Sequence, residues 1–292
     1  MNVYFLSVLL GIVEGLTEFL PVSSTAHLRI AEALMNIPMD DAYWKMYTIV
    51  IQMGAILALC LLFLGRIVEF LRTFPSGENG DRTIWNHPVS LTVIAFICTS
   101  VPSLLLIKFS DKNLSSLRSI ALALLIGGVV MWVIDAWSVR SEAATRDVEE
   151  MSLPQAIWIG LCQTFSAIFP GTSRSMSTIA AGQIVGLSRP AALEFSFLLS
   201  IPTMLAATGY DLIKELHPSQ AAIAAGTAVH VTMNSERWIV LLIGFVISFI
   251  VALGVVEWFL QWVRQHGLIL FAIYRIALGG ALLLFGQQFI GN

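Results

Sequence analysis

The 292 residues predict an all-α integral membrane protein with six transmembrane helices plus two re-entrant helix-loop-helix hairpins in an inverted repeat. Three observations lead there: an extreme composition, six apolar stretches of bilayer length, and a Pro/Ser motif that occurs twice. Hydrophobic residues make up 57% of the chain and charged ones 12%, with a mean hydropathy of +0.81, where soluble domains carry about 25% charged residues. Sixteen Lys plus Arg and nineteen Asp plus Glu cannot cover a core of this size, which excludes a soluble enzyme. The net charge of -3 and the scattered basic residues exclude nucleic acid as a partner. Cys60, Cys98 and Cys162 lie in apolar runs without metal-ligand spacing, so they read as small core hydrophobes.

A bilayer core of about 30 Å takes roughly 20 apolar residues as helix. Six stretches of that size are the spans, approximately 46–64, 88–107, 119–137, 194–212, 238–260 and 268–288. Polar connections separate them: Arg66 to His87, Lys108 to Arg118, the charge-rich Ser138 to Ser152, and Lys214 to Arg237. Met1 to Leu20 is apolar and short. It lacks the positive n-region of a signal peptide and Glu14 and Glu18 interrupt it, so it is expected to belong to the mature protein.

The remaining apolar segments, 4–33 and 153–186, are each broken by proline and small hydroxyl residues. Gly11, Glu14, Pro21 and Ser24 fall opposite Gly160, Gln163, Pro170 and Ser173 at a constant separation of 149. This is an internal repeat: repeat one covers 1–137 and repeat two 153–292 of a single membrane domain, each a broken segment plus three spans. If a broken segment enters and leaves by one face, three spans per half turn the second half upside down. Eight ordinary helices with proline kinks fit the same periodicity. The basic residues do not orient the chain, because Arg66, Arg72, Arg82, Arg140, Arg146, Arg189 and Arg264 on one face oppose Lys45, Lys108, Lys112, Arg118, Lys214 and Arg237 on the other.

Ionisable groups inside a membrane cost about 2.5–3.5 kcal/mol each on insertion scales and so mark candidate sites. Asp135, Asp211, Glu194 and Glu257 lie near span ends, where they are expected to reach the interface. Glu14, Glu18, His27 and Arg174 fall inside the broken segments. Glu14 and Glu18, four apart, share a helix face. Two anions 5 Å apart repel by about 3 kcal/mol at an effective dielectric of 20, which asks for a shared proton, a divalent cation or a basic neighbour.

In Pro21-Val22-Ser23-Ser24-Thr25-Ala26-His27 the proline ends one half-helix, and Ser23 or Ser24 can cap the next. The capped N-terminus is an anion site. Pro170-Gly171-Thr172-Ser173-Arg174-Ser175, with Thr178 beyond it, repeats the device and adds a guanidinium suited to phosphate oxygens. Carboxylates, a hydroxyl and an imidazole in one tip and a cation with hydroxyls in the other suit phosphoryl transfer. A carrier that uses the repeat for alternating access is the alternative.

The stretch Glu14 to Thr25 with His27, and the stretch Pro170 to Ser175 with Thr178, resemble the two signature motifs of the undecaprenyl-diphosphate phosphatase family, also called bacitracin-resistance proteins. Ile51 to Gly54, Glu194 to Leu199 and Phe271 to Arg275 look like family segments too. The resemblance implies hydrolysis of a C55 polyprenyl diphosphate in the bacterial cytoplasmic membrane, with the site open to the outer face. It implies catalytic roles for Glu14, Glu18, Ser24, His27 and Arg174, diphosphate contacts from Ser23, Thr25, Ser173, Arg174, Ser175 and Thr178, and a divalent cation, magnesium or calcium, on Glu14 and Glu18. The implied partners are the polyprenyl diphosphate and membrane lipid, and a homodimer stays open. Two departures stand out: Ala26 where many members have glycine, and a long stretch Glu215 to Arg237 that reads as an extra cap. On this basis Ser24 attacks or orients water with His27 as general base, or His27 itself attacks, while spans 46–64 and 194–212 flank the tail.

Overall fold

The computed structural model describes residues 2–38, 41–78, 80–113, 116–138, 143–217 and 232–290, with side chains in 107–113 and 287–290 left aside. The middle of the long stretch expected as a cap, 218–231, lies outside the described residues, as does Arg140. Among the described residues the regular structure is helical, with one isolated bridge between Thr145 and Leu187 and a 3-10 turn at Val148–Glu150 in the connections. The helices are α1 (Val3–Thr17), α2 (Ser24–Leu34), α3 (Ala42–Leu62), α4 (Leu64–Thr73), α5 (Pro88–Asn113), α6 (Leu117–Ser138), α7 (Leu153–Ile168), α8 (Arg174–Ile184), α9 (Arg189–Leu216), α10 (Ser235–His266) and α11 (Ile269–Ile290).

Six of these, α3, α5, α6, α9, α10 and α11, contain segments long and apolar enough to cross a membrane, and they coincide with the six expected spans. The chain is therefore a multi-pass membrane protein. The two broken segments form helix pairs, α1 with α2 and α7 with α8, whose members pack against each other. At 1.5 Å per residue, α1 and α7 are about 23 Å long and α2 and α8 about 16 Å. Each falls short of a bilayer core of about 30 Å.

Close packing of small residues holds the first half of each pair. Gly11 and Gly15 of α1 lie against α10, where an added Cβ would meet Gly244 O at 2.8 Å and Ser248 O at 2.7 Å. Gly160 of α7 lies in the same way against Ala95 of α5, whose neighbour Thr99 donates its hydroxyl to Gly160 O at 2.7 Å. Ala95 and Gly244, and Thr99 and Ser248, are also 149 residues apart. Small residues permit such approach in membranes, where lipid is as apolar as the side chains and van der Waals contact drives association.

The core between these crossings is aromatic. Phe197 of α9 meets Phe19, Phe63 and Phe259 at ring distances of 5.6, 5.8 and 6.3 Å. The polar connection after α3 begins with α4, a short amphipathic helix that buries Phe70. Its Arg66 pairs with Glu194 at 2.9 Å and Glu149 at 2.7 Å, so Glu194 lies partly exposed at its span end and is ion-paired there.

Asp135 departs from expectation. It is fully buried and accepts from Arg189 Nε at 2.7 Å, Gln183 Nε2 at 3.1 Å and Leu268 N at 3.0 Å. It joins α6, α8, α9 and the start of α11 instead of reaching water, because its neighbours supply the donors that solvent would. Asp135→Ala strands the Arg189 guanidinium, and breaking a buried pair costs about 3–5 kcal/mol. The variant is expected to melt well below the native protein in detergent, which fluorescence-detected size-exclusion melting reads directly.

Candidate active site

Ser23 and Ser173 end the two breaks and start α2 and α8. Each has a positive φ, 74° and 73°, a left-handed conformation that costs a non-glycine residue about 1–3 kcal/mol and persists only where surroundings enforce it. Each accepts a hydrogen bond on its side chain from the amide three residues on, Ala26 or Met176, at 3.4 Å. Ser23, not Ser24, is thus the first cap. Ser23 and Ser173 are 150 apart, so the second break is one residue longer than the first. The sequence alignment had paired Ser24 with Ser173; in space Ser24 stands at the position of Arg174.

The tips touch. Ser175 Oγ donates to Leu20 O at 3.0 Å, and Ser173 Oγ lies 3.1 Å from Ser175 Oγ. Arg174 Nη2 lies 3.5 Å from Glu18 Oε1, and its guanidinium sits 5.8 Å above the Phe19 ring. Ser24 Oγ donates to the other oxygen of Glu18 at 2.5 Å. One carboxylate from the first break therefore binds both the hydroxyl beside it and the cation across from it. Among the described residues Arg174 Nη1 has no partner although it is buried, leaving donors for a ligand. The two helix N-termini add backbone N–H groups at the same place.

Glu14 is fully buried one turn before Glu18, and neither of its oxygens has a hydrogen-bond partner among the described residues. It feels the charges of Glu18 and Arg174. Among the described residues no group of three His, Cys, Asp or Glu is placed to hold a metal ion. The two glutamates alone suit a hard divalent ion that keeps waters or takes phosphate oxygens as further ligands.

His27 lies one turn beyond Ser24. Its Nδ1 is 2.7 Å from Ser23 O, so this nitrogen carries the proton, and its Nε2 is 2.6 Å from the Tyr274 hydroxyl, against whose ring it stacks. The base within reach of Ser24 is Glu18 rather than His27. Thr25 is exposed on the first turn of α2. Thr178 is buried, back-bonded to Arg174 O at 3.0 Å and joined to Ser196 Oγ at 2.6 Å. Ala26 fits without strain, its methyl clustered with Ile120 and Leu124.

Sequence reading placed Tyr274 and Arg275 in a family-like segment but gave neither a role. Arg275 is fully buried and donates to Pro21 O at 3.0 Å, Thr172 O at 2.8 Å and Gly171 O at 3.1 Å. A signal existed, since Arg275 is the one charge inside the stretch 268–288. An apolar groove of about 670 Å³ runs from Thr172 and Ser177 at the second tip along Ile126, Val130, Phe165 and Ile184. It lies on α6, α7 and α8, whereas α3 and α9, the expected walls for a tail, pack on each other in the core.

Fold and site define a class: a helical membrane protein whose two broken helices join at one polar pocket beside an apolar groove. The chain matches the family described as Bacitracin resistance protein BacA over residues 7–281, and it belongs to that family. It is 58% identical over 283 residues to the undecaprenyl-diphosphatase of Koribacter versatilis, covering 97% of this chain and 98% of that one. It is 41% identical to the undecaprenyl-diphosphatase of Caldanaerobacter subterraneus subsp. tengcongensis, covering 98% and 96%, and 39% identical to that of Aquifex aeolicus, covering 94% of each.

A buried carboxylate without a hydrogen bond is held at a cost to stability. Glu14→Gln is expected to raise the melting temperature while lowering turnover at least about tenfold, the trade-off typical of strained functional groups. Paired melting and phosphate-release measurements check both signs.

Proposed function

We propose that this chain hydrolyses undecaprenyl diphosphate to undecaprenyl phosphate and inorganic phosphate. The observation that carries the reading is the junction of the tips, where Glu18 accepts from Ser24 at 2.5 Å and faces Arg174. This is a nucleophile, its base and a phosphate clamp in one place. The relatives named undecaprenyl-diphosphatase support it over nearly the full length of the chain.

The terminal phosphate of the lipid lies between Arg174 and the N-termini of α2 and α8, with Ser23, Thr25, Ser173 and Ser175 around it. Ser24 Oγ attacks the terminal phosphorus and its proton passes to Glu18. The bond from phosphorus to the bridging oxygen breaks, and undecaprenyl phosphate leaves with the electron pair. Water then attacks the phosphoserine, the bond from phosphorus to Ser24 Oγ breaks, and Glu18 returns its proton to Ser24 as inorganic phosphate leaves. His27, its Nδ1 proton fixed on Ser23 O, takes the proton of that water at Nε2 once the water replaces the Tyr274 hydroxyl there. Glu14 and Glu18 would hold a magnesium or calcium ion, which when bound neutralises charge on the diphosphate. The prenyl tail lies in the groove of α6, α7 and α8, which needs no polar partner for it.

The helix pairs, too short to span, dip into the bilayer and return to the same face, and the two halves lie inverted to one another. Backbone breaks at that depth are tolerated because they line a polar pocket. The protein sits in the bacterial cytoplasmic membrane with the pocket open to the outer face, where it recycles the lipid carrier of cell-wall synthesis. Both tips come from one chain, so the chemistry needs no second copy.

The doubled crossing of α1 on α10 and α7 on α5 also suits a prenyl-phosphate carrier. Phosphate release from undecaprenyl diphosphate by purified protein separates the two. Cation-dependent release is expected from the native protein, abolished by EDTA and reduced about 10²–10³-fold in Glu18→Ala, His27→Ala and Arg174→Ala. A folded native protein that releases no phosphate with magnesium or calcium sinks the phosphatase. Vesicle transport lost in Arg174→Ala but kept in His27→Ala then supports the carrier.

A further inference from the structure

We infer that Arg275 is the positioning residue of this site, the clasp that sets the spacing of the two tips and thereby the distance from Glu18 and Ser24 to Arg174. The inference rests on the phosphatase reading and adds to it a side chain that touches no reacting group.

Arg275 lies on α11, outside both breaks, and is fully buried. Nη1 donates to Pro21 O at 3.0 Å; Nη2 donates to Thr172 O at 2.8 Å, Gly171 O at 3.1 Å and Ala123 O at 3.2 Å. One guanidinium thus joins the first tip, the second tip and α6. Among the described residues it has no carboxylate partner, and its Nε has no hydrogen-bond partner. A buried cation without a counter-charge is costly. What it supplies in return is geometry, a rigid planar fork that reaches several segments at once, which a lysine ammonium cannot reproduce.

The carbonyls it holds are those freed where the helices break, and they lie within three residues of the reacting groups. Pro21 O is three residues before Ser24, and Thr172 O two before Arg174. The seat is built for the guanidinium. A Cβ on Gly127 of α6 would collide with Arg275 Nη2 and lie 2.8 Å from Met176 Cε. The preceding residue, Tyr274, holds His27 Nε2 at 2.6 Å, so consecutive residues of α11 fix the tips and the imidazole.

Two substitutions disturb the clasp in different ways. Arg275→Lys keeps the charge and removes the fork; Gly127→Ala keeps the arginine and pushes it off its seat. Gly280→Ala, on the same helix with open space around the new methyl, is the control. Steady-state phosphate release from undecaprenyl diphosphate, detergent melting, and hydrogen exchange of the amides in 20–24 and 171–175 are measured on all three beside the native protein. Arg275→Lys is expected to lose about 10–100-fold in kcat, the scale of an ångström misplacement, with KM changed less than about threefold. Gly127→Ala shifts the same way, both speed exchange at the tips, and Gly280→Ala matches the native protein. Native kcat in a folded Arg275→Lys, a rise in KM alone, or unchanged exchange at the tips overturns the inference. Loss of folding in both Arg275→Lys and Gly127→Ala also overturns it, since Arg275 is then a determinant of the fold at large. Inactivity of the native protein counts against the phosphatase instead, and tip exchange still reads the clasp.

Discussion

A helix broken inside a bilayer frees carbonyls and amides that lipid cannot bind, so the protein must supply every partner itself. In this chain two helix breaks within apolar segments satisfy one another. Ser175 of the second binds Leu20 O of the first, Arg174 faces Glu18, and Arg275 gathers carbonyls of both. The polar pocket follows from this constraint: once the breaks meet, two helix N-termini, a carboxylate, a guanidinium and several hydroxyls share a small volume walled by aromatic and aliphatic side chains.

The two halves use the same scaffold for different ends. Gly11 and Gly160 make equivalent crossings, and Ser23 and Ser173 adopt the same left-handed cap. At the next position the halves diverge, with Ser24 in one and Arg174 in the other. Glu14 is matched by Gln163, whose amide donates to Thr203 at 3.1 Å. The two tips therefore present unlike groups to one another on like backbones.

The spans were legible because bilayer thickness imposes a length that composition alone reveals. The broken segments were legible as breaks, since proline and hydroxyl residues interrupt apolar runs there. Their register was not. The alignment paired Ser24 with Ser173 because an extra residue between Pro170 and Ser173 is invisible without the caps. Glu14, Glu18 and Arg174 stood out as charges in apolar segments, and the structure brings Glu18 and Arg174 together. Arg275 carries the same signal but sits in a span of otherwise ordinary appearance, and its partners are backbone carbonyls that no residue pattern encodes. Asp135 sits near a span end, which by position alone suggests water; Arg189, Gln183 and Leu268 enclose it through contacts that depend on how α6, α8, α9 and α11 pack. The groove beside the second tip depends on the same packing.

Under the phosphatase reading Glu18 and Arg174, 156 residues apart in sequence, act as one catalytic unit across the two tips. A double-mutant cycle on kcat/KM with Glu18→Gln, Arg174→Gln and the pair tests it most directly. If the unit exists, the double variant is little worse than the worse single, giving an interaction free energy of about 2 kcal/mol or more. Losses that simply multiply would mean that the two residues serve separate tasks and that the meeting of the tips does not create the site.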